Sequence, residues 1–218
     1  MIRSKGLNIF LLGFLTVSIG CVSSLNKTLD PGSPDDLPGC YAVFPREPWE
    51  SVHRIEATIQ GGGSSSLLGV TKGEPFKRRL QSLLLSPEGF ILFDAELSED
   101  GLAVRKAVAP FDSPAFAKGL MEDVSLLFLP PQIEPAGWRK EMDGTMVCEW
   151  QSAGDSHTDI TGSMDGGWRI LRRNKKGKVI KELVLNGLFV NGLASRVELC
   201  AFEPPRYRLR MTLIETSP

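Results

Sequence analysis

The chain has 218 residues, of which 42% are apolar and 23% are charged, with 25 basic and 26 acidic side chains. This composition is typical of a globular protein, and it excludes a disordered chain, a collagen-like chain and a membrane protein with many spanning helices. A net charge of −1 provides no basic surface for nucleic acid. The length suits one domain of ordinary size or two small ones.

The first twenty residues have the pattern of a secretion signal. Arg3 and Lys5 precede an apolar run at positions 6–19. This run is too short to span a bilayer, because a spanning helix needs about 20 apolar residues. A signal anchor is therefore the less favoured interpretation. We predict a signal peptide over residues 1–20.

The end of the apolar run resembles a bacterial lipobox, since small residues precede Cys21. The resemblance implies that Cys21 carries a covalent diacylglycerol and acyl group, and that no other cofactor is needed. Val22 follows where an aspartate would retain a lipoprotein at the inner membrane, which implies a periplasm-facing anchor in the outer membrane. The lipobox prefers Leu, Val or Ile at the place of Ser18. Ser18 and Gly20 would also suit an ordinary signal peptidase.

Cleavage before Cys21 would remove two basic residues and leave 23 basic and 26 acidic ones, a net charge of −3. A general attraction to anionic lipid is not expected from that charge. Residues 21–39 are rich in Ser, Asp, Pro and Gly, which predicts a lipidated tether. The remaining residues, 40–218, are predicted to form one domain.

From residue 40 onward the sequence is typical of an antiparallel sheet. Polar and apolar residues alternate in short segments, and turn signals such as Ser86-Pro87-Glu88-Gly89, Asn186-Gly187 and Asn191-Gly192 separate them. The predicted strands are 53–59, 66–71, 76–85, 90–97, 102–107, 145–151, 157–163, 168–173, 178–185, 193–202 and 207–215.

One helix interrupts the predicted strands. Ser113-Pro114 is a favourable helix start, and Pro130-Pro131 ends the segment. The apolar residues between them recur every three or four positions: Phe116, Leu120, Met121, Val124 and Leu127. About ten strands with one helical excursion predict a mainly β fold. We expect a single antiparallel curved sheet, an open or half β-barrel, with one or two helices across its concave face.

Three cysteines remain after Cys21, and the envelope is an oxidising compartment that permits one disulfide. Cys148 alternates with Met146 and Trp150, which predicts a buried position, whereas Cys200 shares its face with charged residues. We therefore predict that Cys40 pairs with Cys200 and staples the two ends of the domain. Three free thiols are the alternative.

Few residues in the sequence indicate catalysis. His53 and His157 have no acidic or cysteine partner at metal-ligand spacing, so they are interpreted as sheet or surface residues and no metal site is predicted. The glycine-rich run at 61–66 lacks the Gly-Lys-Ser/Thr ending of a phosphate loop and is interpreted as a hairpin loop. Asp94 and Glu96 alternate with apolar residues, which predicts an exposed strand face rather than an acid–base pair. The protein is predicted not to be an enzyme.

A lipobox, a tether and a half-barrel with an inserted helix resemble the LolA/LolB-like lipoprotein-carrier superfamily of the Gram-negative envelope. They also resemble a group of related, uncharacterised proteobacterial outer-membrane lipoproteins. The local match is strand 80–85, the Ser86-Pro87-Glu88-Gly89 turn and strand 90–97, then a hairpin, a helix at 115–127 and an exit at Pro130. In the receptor members of the superfamily, the position that matches Glu88 holds an exposed leucine thought to enter the membrane. Inserting a charged glutamate into the membrane has a high free-energy cost.

The resemblance therefore implies the fold and lipid binding, but not insertion of lipoproteins into the outer membrane. It implies a protein that binds or transfers a lipid or acyl-bearing cargo. Its partners would be lipid or lipoprotein acyl chains, the membrane that holds its anchor, and an envelope protein. The candidate lipid-binding residues are Ile91, Phe93, Phe116, Leu120, Met121 and Trp168.

The alternative is a non-enzymatic accessory or structural subunit of an envelope assembly, with a filled core. Its contact surface would include Arg206, Arg208 and Arg210, which the sequence predicts on the exposed face of an edge strand.

Overall fold

The computed structural model describes residues 34–152, 156–162 and 166–218. The predicted signal peptide, the predicted lipidation site Cys21 and most of the predicted tether lie outside the described residues. Within the described part, the strands in chain order are β1 (Trp49–Ile59), β2 (Gly63–Glu74), β3 (Arg79–Leu85), β4 (Ile91–Ser98), β5 (Gly101–Ala107), β6 (Gly137–Lys140), β7 (Met146–Ser152), β8 (Ser156–Gly162), β9 (Trp168–Arg173), β10 (Val179–Val190), β11 (Leu193–Ala201) and β12 (Tyr207–Ser217). Helix α1 (Pro114–Phe128) joins β5 to β6.

All twelve strands belong to one sheet, and its order is β5-β4-β3-β2-β1-β12-β11-β10-β9-β8-β7-β6. Every neighbouring pair is antiparallel. The first and last strands pair in the middle, and the two edges are β5 and β6, which flank α1 in the chain. Because these edges do not pair with each other, the sheet is open. The predicted mainly β fold, one open antiparallel sheet with a helix on one face, is confirmed, with twelve strands rather than about ten.

Alternation along each strand decides which side chains face the helix. In β1, the residues Trp49, Ser51, His53, Ile55 and Ala57 are buried, and the residues between them are more exposed. We call this side of the sheet the inner face and the opposite side the outer face. The other strands contribute fully buried side chains to the inner face: Leu80, Phe93, Trp150, Ile160, Ile170, Leu183 and Leu199. These residues form one hydrophobic core with α1.

The N-terminal segment covers another part of the inner face. A 3-10 helix, Pro34–Tyr41, takes in the last residues of the predicted tether and lies against β6 and β7. A disulfide joins Cys40 to Cys148 of β7, so the predicted pairing of Cys40 with Cys200 is wrong. Cys200 is a free thiol opposite Arg208 in the β11–β12 ladder. It therefore faces outward, whereas Cys40 lies on the inner side.

The predicted turn at Asn186-Gly187 is also wrong, because β10 continues through it. The register between β10 and β11 shifts between Asn186 and Phe189, which is the signature of a β-bulge. Gly187 has a φ of 86° there, a backbone conformation that glycine adopts without strain. The chain turns instead at the second signal, Asn191-Gly192, where both residues have positive φ.

The arginine-rich last strand lies in the middle of the sheet. β12 is hydrogen-bonded to β1 on one side and β11 on the other, so the prediction that Arg206, Arg208 and Arg210 guard an edge is wrong. Arg208 instead forms an outer-face ion pair with Glu198 of β11, at 3.1 Å. Sequence alternation identified the exposed face, but the pairing of the first strand with the last depends on contacts across the whole chain.

Candidate functional site

Helix α1 lies over the first half of the inner face, in contact with β3 and β5. It begins at Pro114, the predicted first helical residue, and ends at Phe128, shortly before the predicted stop at Pro130-Pro131. The side chain of Ser113 makes no capping hydrogen bond, so the proline at the first helical position is the main start signal. The helix places its apolar stripe against the sheet.

Four of the six predicted lipid-binding residues lie in this contact between helix and sheet. Phe93 packs on Phe111, with ring centroids 6.1 Å apart, and Phe111 packs edge-on against Phe116 at 5.3 Å. Met121 is fully buried and Leu120 packs against the same core. Helix and sheet are in direct contact here. The space that these side chains are predicted to line is therefore filled in this conformation.

The other two predicted residues lie elsewhere. Trp168 is on the inner face of β9, over Gly162, where an added Cβ would come within 2.6 Å of the indole ring. Ile91 is part-exposed at the start of β4, where a register shift beside Leu85 puts it out of step with the buried residues. The structure therefore brings together Phe93, Phe116, Leu120 and Met121, but not Trp168 or Ile91.

A buried polar cluster ties the middle of α1 to the far half of the sheet. Asp123, which is 6% exposed, accepts hydrogen bonds from Lys181 Nζ of β10 and from the Tyr207 hydroxyl of β12. Burial raises the pKa of Asp123, although the Lys181 charge and both hydrogen bonds act in the opposite direction. Burial and the adjacent carboxylate also raise the pKa of Tyr207. We call these three residues the Asp123 latch.

The end of α1 is held separately. Arg78 follows the 3-10 turn Pro75–Lys77 in a left-handed conformation with a φ of 48°. Its Nη1 donates a hydrogen bond to the carbonyl oxygen of Pro130, at 2.9 Å. Burial lowers the pKa of the Arg78 guanidinium. The loop that leaves the helix is thus fixed to the turn between β2 and β3.

An open cleft of about 340 Å³ lies between the C-terminal half of α1, its exit loop and the inner faces of β8 and β9. Its apolar lining includes Phe44, Leu126, Leu129, Ile133 and Ile160. Its charged lining consists of two cations, Arg78 and Arg172, and one carboxylate, Glu122. Such a cleft can hold an apolar chain and place a negative group beside a guanidinium. None of the six predicted lipid-binding residues lines it, because four of them pack between the helix and the sheet and the other two lie elsewhere.

Two buried side chains near the end of α1 have polar atoms without a partner. Trp49 Nε1 and His53 Nε2 make no hydrogen bond, although the residues are only 3% and 1% exposed. His53 Nδ1 lies 3.3 Å from Ser51 Oγ. Burial lowers the pKa of His53 to about 4. His53 lies in the sheet, as predicted, but the spacing of the histidines gives no sign of its complete burial.

This burial predicts a pH dependence of stability. The folded pKa of His53, about 4, lies below the ordinary value of 6.5, so between these values the unfolded chain binds the proton and the folded chain does not. We expect the free energy of unfolding to fall by about 3 kcal/mol as pH falls from 6.5 to 4. Urea unfolding across this window measures the loss. In His53→Gln the loss should be smaller by that amount; an equal loss in both proteins would contradict the assignment.

Polar groups on the outer face are paired with each other. Asp94 accepts a hydrogen bond from Arg105 at 2.6 Å, and Glu96 accepts one from Arg79 at 2.6 Å. The prediction that these two carboxylates belong to an exposed strand face is confirmed. At the β3–β4 turn, Phe90 is 70% exposed beside the exposed Glu88, so this turn presents an aromatic ring as well as a charge.

An open groove of about 430 Å³ also lies on the outer face, across β1, β11 and β12. It is lined by Glu56, Cys200, Arg206, Arg208 and Arg210, among others. Among the described residues, no helix is long and apolar enough to cross a membrane. No group of three or more His, Cys, Asp or Glu side chains in the described ranges is arranged to hold a metal ion.

No protein-family model matches the chain, and no curated protein matches it. A LolA superfamily protein from Nitrosomonas europaea is 8% identical, covering 84% of this chain and 91% of that one, with a TM-score of 0.44. An outer-membrane lipoprotein-sorting protein domain from Vibrio parahaemolyticus is 10% identical, covering 84% and 90%, with a TM-score of 0.47. A DUF1329 family protein from Desulfovibrio piger is 11% identical, covering 84% and 90%, with a TM-score of 0.41.

Proposed function

We propose that this protein is a non-enzymatic lipoprotein of the bacterial envelope that binds a lipid or acyl-bearing cargo on the inner face of its sheet. The observation that carries the proposal is the cleft beside α1, which combines an apolar lining with Arg78 and Arg172. The Cys21 lipid would anchor the protein in the outer membrane, facing the periplasm. Residues 22–33 would connect that anchor to the described domain.

The chemistry of the cleft suits an amphipathic ligand. An acyl chain would lie against Leu126, Leu129 and Ile160, and an anionic headgroup would lie beside Arg172. Arg172 comes from the inner face of β9, opposite Lys181 of β10. Lys181 is paired with Asp123. Arg172 is therefore better placed than Lys181 to bind a headgroup.

A larger cargo requires movement of the helix. The volume of about 340 Å³ is in the lower part of the range of ligand pockets. Beneath α1 the inner face continues as an apolar surface that includes Leu80 and Phe93. Displacing the helix would join this surface to the cleft, and the predicted lipid-binding residues between helix and sheet would then line the enlarged site. Trp168 and Ile91 have no part in this proposal.

Filling the cleft tests the proposal. We expect Leu126→Trp to lower binding of a fluorescent phosphatidylglycerol by about tenfold or more, because the indole would occupy the space beside α1. Binding is titrated with the full chain carrying Cys21→Ser, so that its own lipid does not compete. Lys118→Trp is the matched control, because it places the same side chain on the solvent side of the same helix, where Lys118 is 74% exposed. Equal binding by Leu126→Trp and the wild type would contradict the proposed site.

The accessory-subunit alternative is favoured by a different observation, the outer-face groove with its three arginines. Arg208 is already paired with Glu198, and Arg206 donates to Gln60 Oε1 at 3.4 Å. Arg210 would therefore be the main cation for an acidic segment of a partner. Failure of the wild-type chain to bind any lipid in the titration above would favour this alternative.

A further inference from the structure

The inner face of β1 carries three polar residues in an otherwise apolar surrounding. Trp49, Ser51 and His53 occupy alternate positions, so their side chains point to the same side of the sheet. Trp49 Nε1 and His53 Nε2 have no hydrogen-bond partner. A buried polar group that has lost water without gaining a partner destabilises a fold, and such groups are rare in native proteins.

One side chain packs against both of these rings. The ring of Phe128, the last residue of α1, lies 4.6 Å from the ring of Trp49 and 6.1 Å from that of His53, measured between centroids. The indole of Trp49 is fixed from below, because it lies over Gly73, where an added Cβ would come within 2.5 Å of it. Moving Phe128 would therefore uncover a prepared surface.

Both unpartnered groups can act as neutral hydrogen-bond donors. An indole nitrogen can only donate. When the Ser51 hydroxyl donates to Nδ1 of His53, the imidazole proton is on Nε2, which then also donates. A neutral pair of donors suits the carbonyl oxygen of an ester or amide. It suits a carboxylate less, because a buried negative charge would stay uncompensated.

We propose that Trp49, Ser51 and His53 form a carbonyl-binding strip, which donates hydrogen bonds to the ester carbonyls of a glycerol-linked acyl lipid once Phe128 is displaced. This inference rests on the proposed function and adds the chemical group that the site recognises. The route to the strip starts at the cleft, because Leu129, the residue that follows Phe128, lines the cleft wall.

The hydrogen bond from Arg78 to Pro130 restrains the same end of the helix. A lipid that enters the cleft would meet Phe128 at the end of the helix first. It would reach the middle of the helix, which the Asp123 latch holds, only afterwards. The strip requires movement of the last helical turn alone.

The test compares two lipids that differ only in the carbonyls. A short-chain diacyl phosphatidylglycerol and its dialkyl ether analogue of equal chain length are titrated against the Cys21→Ser chain. We expect the wild type to bind the ester about tenfold more tightly than the ether, as two buried hydrogen bonds require. Trp49→Phe and His53→Phe should each weaken ester binding by about threefold and leave ether binding unchanged.

Trp150→Phe is the matched control. It also removes a fully buried indole, but Trp150 Nε1 already donates to the carbonyl oxygen of Ile133, at 3.1 Å, so the ester-to-ether ratio should stay at the wild-type value. Equal binding of ester and ether by the wild type would overturn the strip alone, and this result needs no variant to fold. An unchanged ratio in Trp49→Phe and His53→Phe would also overturn it. Binding of neither lipid would overturn the proposed function together with the strip.

Discussion

Loss of the Cys40–Cys148 disulfide is expected to lower the free energy of unfolding by about 5 kcal/mol. The bond closes a loop with a sequence separation of 108 residues, and the chain-entropy model assigns a large stabilisation to a loop of that length. It also holds the N-terminal 3-10 helix against β6 and β7, so its loss would uncover part of the inner face. Guanidinium unfolding of the oxidised protein and of Cys148→Ala measures the difference.

The free cysteine provides the control for this experiment. Cys200 faces outward and has no disulfide partner, so Cys200→Ser is expected to change the free energy of unfolding by less than about 0.5 kcal/mol. A reducing agent should shift the unfolding midpoint of the wild type and of Cys200→Ser alike, and leave Cys148→Ala unchanged. A wild-type midpoint that does not respond to reduction would show that this bond contributes nothing to stability.

The cysteine pairing shows what sequence alternation can and cannot predict. Alternation with Met146 and Trp150 correctly placed Cys148 on a buried face. The choice of Cys200 assumed that the disulfide joins the two ends of the domain. The N-terminal segment instead runs over the inner face at β7, and an inward cysteine requires an inward partner.

The fold itself was largely predictable because its signals are local. The strands, the hairpin turns and the proline-bounded helix each depend on a few neighbouring residues. The sheet order was not predictable in the same way, because pairing β1 with β12 joins residues at opposite ends of the chain. The strand β6 was missed because it has only four residues, Gly137–Lys140.

The candidate site was less predictable than the fold. The apolar stripe of α1 was identified from its spacing, but spacing does not distinguish a cavity lining from a packed core, and the structure packs Phe116 and Met121 against the sheet. The cleft depends on Arg78 and Arg172, which come from separate elements. Asp123 offered one signal that the sequence analysis did not use, a charged residue beside an apolar helical stripe.

Asp123→Leu is expected to lower the free energy of unfolding by about 3 kcal/mol, because it leaves the charge of Lys181 and the hydroxyl of Tyr207 half-buried without their acceptor. This value is at the lower end of the range for a broken buried pair, since Lys181 retains some exposure to water. Urea unfolding at pH 7 measures the loss. The matched control is Glu122→Gln on the same helix, whose ion pair with Lys118 is exposed and spans 4.0 Å, so that its removal should change stability by less than about 0.5 kcal/mol.

The double variant Asp123→Leu with Lys181→Met separates the lost ion pair from lost packing. If the buried charge of Lys181 causes the loss, removing it as well should restore about half or more of the stability, because apolar side chains of similar size replace a buried pair at little cost. If packing is the cause, the second substitution should lower the free energy of unfolding further.

The same variants test the latch in lipid binding. If the latch holds α1 over the inner face, freeing the helix should speed uptake of the fluorescent phosphatidylglycerol relative to the wild type, since less of the binding energy is then needed to displace it.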